Sequence, residues 1–180
     1  LSWRFDHEID GVYMDLDVIA GCPIRYNAAG LLDAMAKKIE MLNGRPEMSL
    51  DDTPVDVYTA YRSASFVYDI LVEKGQQAIE DNRRHDPTKT LGDIAYLNVI
   101  ETGVIANTTK SFRQSELAHV IYDGVRTLFT KEAAGAIHGE IVAVGLFCQL
   151  YFNGLKDKED EIREYMRSMD MPLTLAELGI

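Results

Sequence analysis

From Asn27 onward, apolar side chains recur at three- and four-residue spacing, and the strict alternation of a half-buried strand is almost absent after residue 20. Leu31, Leu32, Met35, Ile39 and Leu42 share one helical face, and Asn43-Gly44-Arg45-Pro46 supplies the stop. Asp51-Asp52-Thr53-Pro54 reads as a second helix start, with proline near the first helical position. A long helix or helix pair is expected from there to about Asn82, with Tyr58, Tyr61, Phe66, Tyr68, Ile70 and Leu71 on its apolar side. Beyond a polar connection from Arg83 to Thr88, helical pattern resumes from about Leu91 to Thr109, Gln114 to Phe129, His138 to Tyr151 and Lys156 to Met169, and a last short helix begins at Pro172. Proline is confined to connections, as helices require. The chain is therefore expected to be mainly α, a multi-helix bundle. Residues 12–19 read as a short extended segment ended by Pro23. The expected organisation is an extended lead-in over 1–22 and a helical domain over 23–180.

With 180 residues the chain can bury one sizeable core and is short for two. Its net charge of −11 and the lack of any basic cluster denser than Arg83-Arg84 argue against nucleic acid or an anionic membrane surface as partner. No apolar run approaches a membrane span. Neither GxGxxG nor GxxxxGK[ST] occurs, so no self-contained nucleotide site is expected. Cys22 and Cys148 lie among apolar residues without a CxxC partner, which reads as two buried free thiols in a reducing, cytoplasmic setting. Leu1-Ser2-Trp3-Arg4 is no signal peptide, and the chain is expected to begin mid-protein or after processing.

Of the four histidines, His7, His85, His119 and His138, two lie on adjacent expected helices. On a helical wheel Leu117, Val120, Ile121, Gly124 and Leu128 form the apolar arc, while His119 falls opposite with Asp123 and Arg126. It is either a solvated face histidine or a ligand. His138 opens a nearly all-apolar helix. There the positive end of the dipole disfavours imidazolium, and neutral imidazole is the form that binds metal. A capping or packing role fits it equally. Asp33 stands four residues before Lys37, and a dipole-favoured acid paired with that lysine is the simpler reading. Two histidines and a carboxylate would suit zinc with an open fourth position, or ferrous iron.

Three segments carry a family resemblance. Ala28-Ala29-Gly30-Leu31-Leu32-Asp33-Ala34, Ala118-His119-Val120-Ile121-Tyr122-Asp123-Gly124 and His138-Gly139-Glu140-Ile141-Val142-Ala143-Val144-Gly145 resemble, in order, the metal-binding segments of the glycerol dehydrogenase group. That group is a branch of the iron-containing alcohol dehydrogenase and dehydroquinate synthase superfamily. Asp15 to Pro23 resembles its crossover between domains, and Pro172 to Gly179 its last helices. The resemblance implies the C-terminal helical, metal-binding domain of that fold, with Asp33, His119 and His138 as ligands of Zn2+ or, alternatively, Fe2+. It further implies NAD(P) held by a nucleotide-binding domain outside these residues and a small alcohol or polyol as substrate. Beyond the metal site no catalytic residue and no cofactor-binding residue is assigned to this chain.

The departures refine this picture. Lys37 stands where the iron-dependent branch has a further histidine, and Asp33 where dehydroquinate synthases have glutamate. Arg113-Gln114-Ser115-Glu116 replaces glycines that precede the first metal histidine. The resemblance also implies that the family's far end is expected to extend beyond this chain. The function implied is metal-dependent, NAD(P)-linked oxidation of a polyol or alcohol, with the isolated chain inactive and prone to self-association through a face left open. Asp123, one turn after His119, is either an acid that orients a ligand or a solvated one. Two rivals stand beside this function: a catalytically inactive helical metal-binding or interaction domain, and an HD-type metal phosphohydrolase signalled by His85-Asp86.

Overall fold

The computed structural model describes residues 10–108 and 116–180, and among them are eight α-helices and no strand. They are α1 (Leu16–Gly21), α2 (Ile24–Met41), α3 (Val55–Arg83), α4 (Lys89–Tyr96), α5 (Thr102–Thr108), α6 (Leu117–Leu128), α7 (His138–Phe152) and α8 (Glu159–Ser168). A π-helical turn, Leu97–Glu101, joins α4 to α5. The bundle is thus all helical, as the periodicity implies, and no helix among the described residues is long and apolar enough to cross a membrane.

The lead-in differs from expectation where it turns helical at Leu16. Asp15 supplies the reason: its carboxylate accepts the backbone N–H groups of Asp17 at 2.9 Å and Val18 at 3.3 Å, which is an N-cap. The far end of α1 is held by side-chain amides from other helices. Asn82 donates to the carbonyls of Ala20 and Cys22, and Asn27 donates to that of Ile19. Residues 1–9 lie outside the described residues.

Helix α2 runs through the centre, with α3 on one side and α7 on another. Leu31, Leu32, Met35 and Met41 are completely buried, each worth about 1.5–3 kcal/mol of apolar burial. The face of α3 that meets the core is lined by small and aliphatic side chains, Val57, Ala60, Ala64, Val67, Leu71 and Ala78, rather than by its aromatic residues. Phe66 points to solvent, while Tyr58, Tyr61, Tyr68 and Ile70 pack on the rim. Short side chains bring the two axes together; the bulky ones cover the edge.

Helix α7 buries Ile141, Val142, Ala143, Leu146 and Leu150, but its outer face emerges, with Tyr151 73% exposed. Cys148 shares that exposed face, and Cys22 is half-buried, so the thiols are free but, against expectation, neither is fully buried. Two glycines of α7 allow backbone contact with its neighbours. A Cβ at Gly139 would lie 2.2 Å from the carbonyl oxygen of Ala29 in α2, and one at Gly145 would lie 2.9 Å from the Ala118 backbone in α6. Helices α2, α6 and α7 therefore meet more closely than larger residues permit.

Candidate metal centre

Each of those three helices contributes one of the candidate ligands. Asp33 lies in the middle of α2, His119 in the first turn of α6 and His138 at the first residue of α7. Asp33 Oδ1 stands 3.3 Å from His119 Nε2 and 3.4 Å from His138 Nε2. One ligating atom from each of the three lies within 4.8 Å of the others, the single such group of three among the described residues.

Helix α6 is docked by polar groups that belong to other helices. Its first turn has no capping side chain of its own at Glu116. Instead Glu40, fully buried on α2, accepts the backbone N–H groups of Glu116 at 2.9 Å and His119 at 3.0 Å through one oxygen. Its other oxygen lies 2.6 Å from His119 Nδ1. Gln149 of α7 accepts the N–H of Leu117 at 2.8 Å. N–H groups at a helix start need partners outside the helix, and here the core supplies them for Glu116, Leu117 and His119.

This docking turns α6 about its axis relative to the helical-wheel expectation. His119 is 9% exposed, whereas Val120 and Leu128, assigned to the apolar arc, are 59% and 76% exposed. The buried set on α6 is Ala118, His119 and Val125. Asp123 is exposed, and the acid that touches His119 from behind is Glu40, seven residues beyond Asp33 on the same helix. The sequence does hold a signal for Glu40, a lone carboxylate within Ile39-Glu40-Met41-Leu42 on an otherwise apolar stretch.

His138 is placed by the start of α7. Glu140 accepts the N–H of Ile137 at 2.9 Å, and Arg25 from the first turn of α2 grips both Glu140 oxygens at 2.5 and 2.6 Å. Arg126 donates to the carbonyls of Ala133 and Ala136, which fastens the connection between α6 and α7. Tyr122 meets the His138 ring edge-on, with centroids 4.2 Å apart. The His138 side chain is 42% exposed and that of His119 is 11% exposed, so the centre opens to solvent on the His138 side.

The electrostatics follow from this crowding. Burial alone would raise the Asp33 pKa, but the imidazoles of His119 and His138 and the charge of Lys37 outweigh it and hold the carboxyl well below the usual range. Burial disfavours the charged form of His119, yet Asp33 and Glu40 on its two ring nitrogens push its pKa up to about 9. Lys37 acts on Asp33 through its charge and, among the described ion pairs, forms none with it.

Despite its two close nitrogens, Asp33 Oδ1 has no properly aligned hydrogen-bond donor and is shielded from solvent. Ligands about 2.0–2.1 Å from a tetrahedral zinc lie about 3.3 Å from one another, which is the spacing seen between this oxygen and the two nitrogens. One carboxylate, two imidazoles and an open side fit a divalent cation that keeps a position for an exchangeable ligand.

His85 and Asp86 occupy a different environment. They follow the C-terminus of α3, where His85 has φ +54° and its Nδ1 lies 3.0 Å from the Ala20 carbonyl oxygen. That ring helps to fix α1, and the pair joins no group of three ligating side chains among the described residues. Arg113-Gln114-Ser115 and His7 lie outside the described residues.

No protein-family model matches the chain. Among curated proteins it is similar to hydroxycarboxylate dehydrogenase A of Escherichia coli, 25% identical over 98% of this chain and 48% of that protein. It is 28% identical to a glycerol dehydrogenase of Thermotoga maritima over 95% of this chain and 46% of that one. A glycolaldehyde reductase of Halobacterium salinarum is 26% identical over 99% and 48% respectively. The chain spans about half the length of the curated relatives it matches. Along nearly all of its own length, it is similar to proteins named as dehydrogenases and reductases.

Proposed function

We propose that this chain forms the metal- and substrate-binding part of a metal-dependent, NAD(P)-linked dehydrogenase of a polyol or alcohol, with Asp33, His119 and His138 as the metal ligands. The observation that carries the reading is the approach of Asp33 Oδ1 to both Nε2 atoms at 3.3 and 3.4 Å, in a chain similar to dehydrogenases over nearly its whole length. Zinc, or ferrous iron, held by the trio would supply Lewis-acid polarisation of a substrate hydroxyl, and a nicotinamide would supply the hydride acceptor.

The chain's own residues account for the rest. Asp33 brings the negative charge that offsets a divalent cation, and its orphaned oxygen already faces both imidazoles. His119 is locked from behind and gives the site a rigid wall. His138 lies on the solvent side, where a small hydroxylated molecule can approach, and Tyr122 limits the rotation of its ring. Holding the reacting carbon in one orientation is part of what such a site contributes. The chain spans about half of the relatives' length and holds no dinucleotide loop motif, which supports placing the nicotinamide outside these residues.

Elemental analysis of the chain beside a His119→Ala variant tests the reading. About one zinc or iron per chain in the parent, as one three-ligand site requires, and none in the variant is the expected result. NAD(P)-linked oxidation of glycerol and other vicinal diols is then assayed on the chain joined to a nucleotide-binding half. No metal after reconstitution overturns the proposal. Metal without turnover in the joined form would instead support a helical metal-binding module that lacks catalysis.

A further inference from the structure

We infer that Glu40 is a positioning residue of the metal centre: by accepting the Nδ1 proton of His119 it keeps that proton on Nδ1, so that when the ring gives up its other proton on binding a metal the freed lone pair is on Nε2, toward Asp33 and His138. This inference rests on the metal-binding reading above. It starts from an energetic oddity. Glu40 is completely buried in the middle of the bundle, and a buried carboxylate is costly unless it is fully hydrogen-bonded. Among the described residues three donors meet it, and all of them belong to the start of α6.

The two oxygens divide the work. Oε1 takes the backbone N–H groups of Glu116 and His119, which fixes where α6 begins. Oε2 lies 2.6 Å from His119 Nδ1, a short distance of the kind that charge-assisted bonds adopt. An ionised carboxylate only accepts, so the ring must present N–H at Nδ1. In the neutral ring that leaves the lone pair on Nε2, which stands 3.3 Å from Asp33 Oδ1. Metal-ligating histidines commonly donate their other N–H to a carboxylate, which fixes the tautomer and strengthens the ligand. Capping of α6 alone would need only Oε1; the second oxygen has no other hydrogen-bonding partner than the ring among the described interactions.

The isosteric change Glu40→Gln separates the two roles. Its amide oxygen can still accept both backbone N–H groups, where an NH2 would face two donors. The NH2 is then turned to Nδ1, which must become an acceptor, and the proton moves to Nε2, the atom required for the metal. The expected result is a helical, cooperatively folding variant that binds Zn2+ about 10- to 100-fold more weakly than the parent, in competition with a chromophoric chelator. Ring nitrogen-15 spectra of the parent loaded with cadmium-113 should show cadmium coupling at His119 Nε2 and a proton retained on Nδ1.

Equal zinc affinity in the parent and Glu40→Gln overturns this inference alone. Absence of zinc uptake by the parent overturns it together with the metal-binding reading. Should Glu40→Gln fail to fold, the parent spectra decide the matter: coordination through Nδ1, or an Nδ1 without a proton, overturns the inference.

Discussion

At Asp33 an oxygen shielded from solvent faces two imidazoles without an aligned donor. Native proteins leave few such atoms unsatisfied, and a cation is one of the accepted explanations. Asp33→Asn preserves the size of the side chain and removes its charge. It should keep the helical circular dichroism of the parent and take up no zinc at concentrations that saturate the parent; undiminished uptake would remove Asp33 from the ligand set. A second residue-scale effect lies away from the centre, at Tyr68 on α3. Burial, with the charges of Glu161 and Asp69, pushes its phenol up to about 12. The folded state therefore holds that proton more tightly than the unfolded chain, whose tyrosines titrate near ~10. The stabilisation is complete below pH ~10 and is lost as pH rises through about 12. Urea midpoints measured at pH 9 and pH 11.5 should fall further in the parent than in Tyr68→Phe. The variant keeps the ring beneath Lys38 and, in Tyr165, a second phenol shifted in the same direction. Parallel losses in the two proteins would mean that Tyr68 titrates as it does in water.

The elements that hold the centre are joined by backbone proximity and by borrowed caps. Gly139 lets the first turn of α7 rest on the backbone of α2 at Ala29, and Gly145 lets α6 rest on α7 at Ala118. A methyl group at residue 139 would press on a carbonyl oxygen that cannot swing aside. Gly139→Ala should therefore cost about 3 kcal/mol, the upper end for overpacking, and displace His138 from Asp33. Gly124 is the contrasting case, a glycine within α6 whose Cβ would meet nothing within 4 Å. Gly124→Ala should stabilise by roughly 0.5–1 kcal/mol, because glycine is the poorer helix former. Chemical denaturation of both variants checks the pair; equal effects would contradict the packing assigned to Gly139.

Over the whole molecule, the three candidate ligands tie α2, α6 and α7 together, and all three positions are lost on unfolding. A cation bound only by the folded chain stabilises it by about 2.7 kcal/mol at 100 times its dissociation constant. For a domain of this size that corresponds to a rise in Tm of roughly 5–10 °C. Zinc should produce that rise and excess chelator should reverse it, while His119→Ala should melt at one temperature under both conditions. A parent whose melting ignores zinc and chelator alike would count against a site spanning the three helices.

The sequence alone determined the helical class, because a period of three to four residues admits one kind of element. It also located most helices to within a few residues, since their ends carry proline, glycine and asparagine. The three ligand-bearing segments were legible one by one. Their convergence on one metal was implied by the family resemblance alone, for nothing local relates position 33 to positions 119 and 138. Tertiary structure decided how α6 is turned: it buries His119 and exposes Val120 and Leu128, against the local distribution of apolar residues. The same holds for Glu40. A carboxylate is tolerated inside a core only where donors converge on it, and those donors lie about eighty residues away on another helix. The helical period reports that a helix has two faces; which one turns inward depended here on buried hydrogen bonds and on two glycine contacts that only the assembled bundle creates.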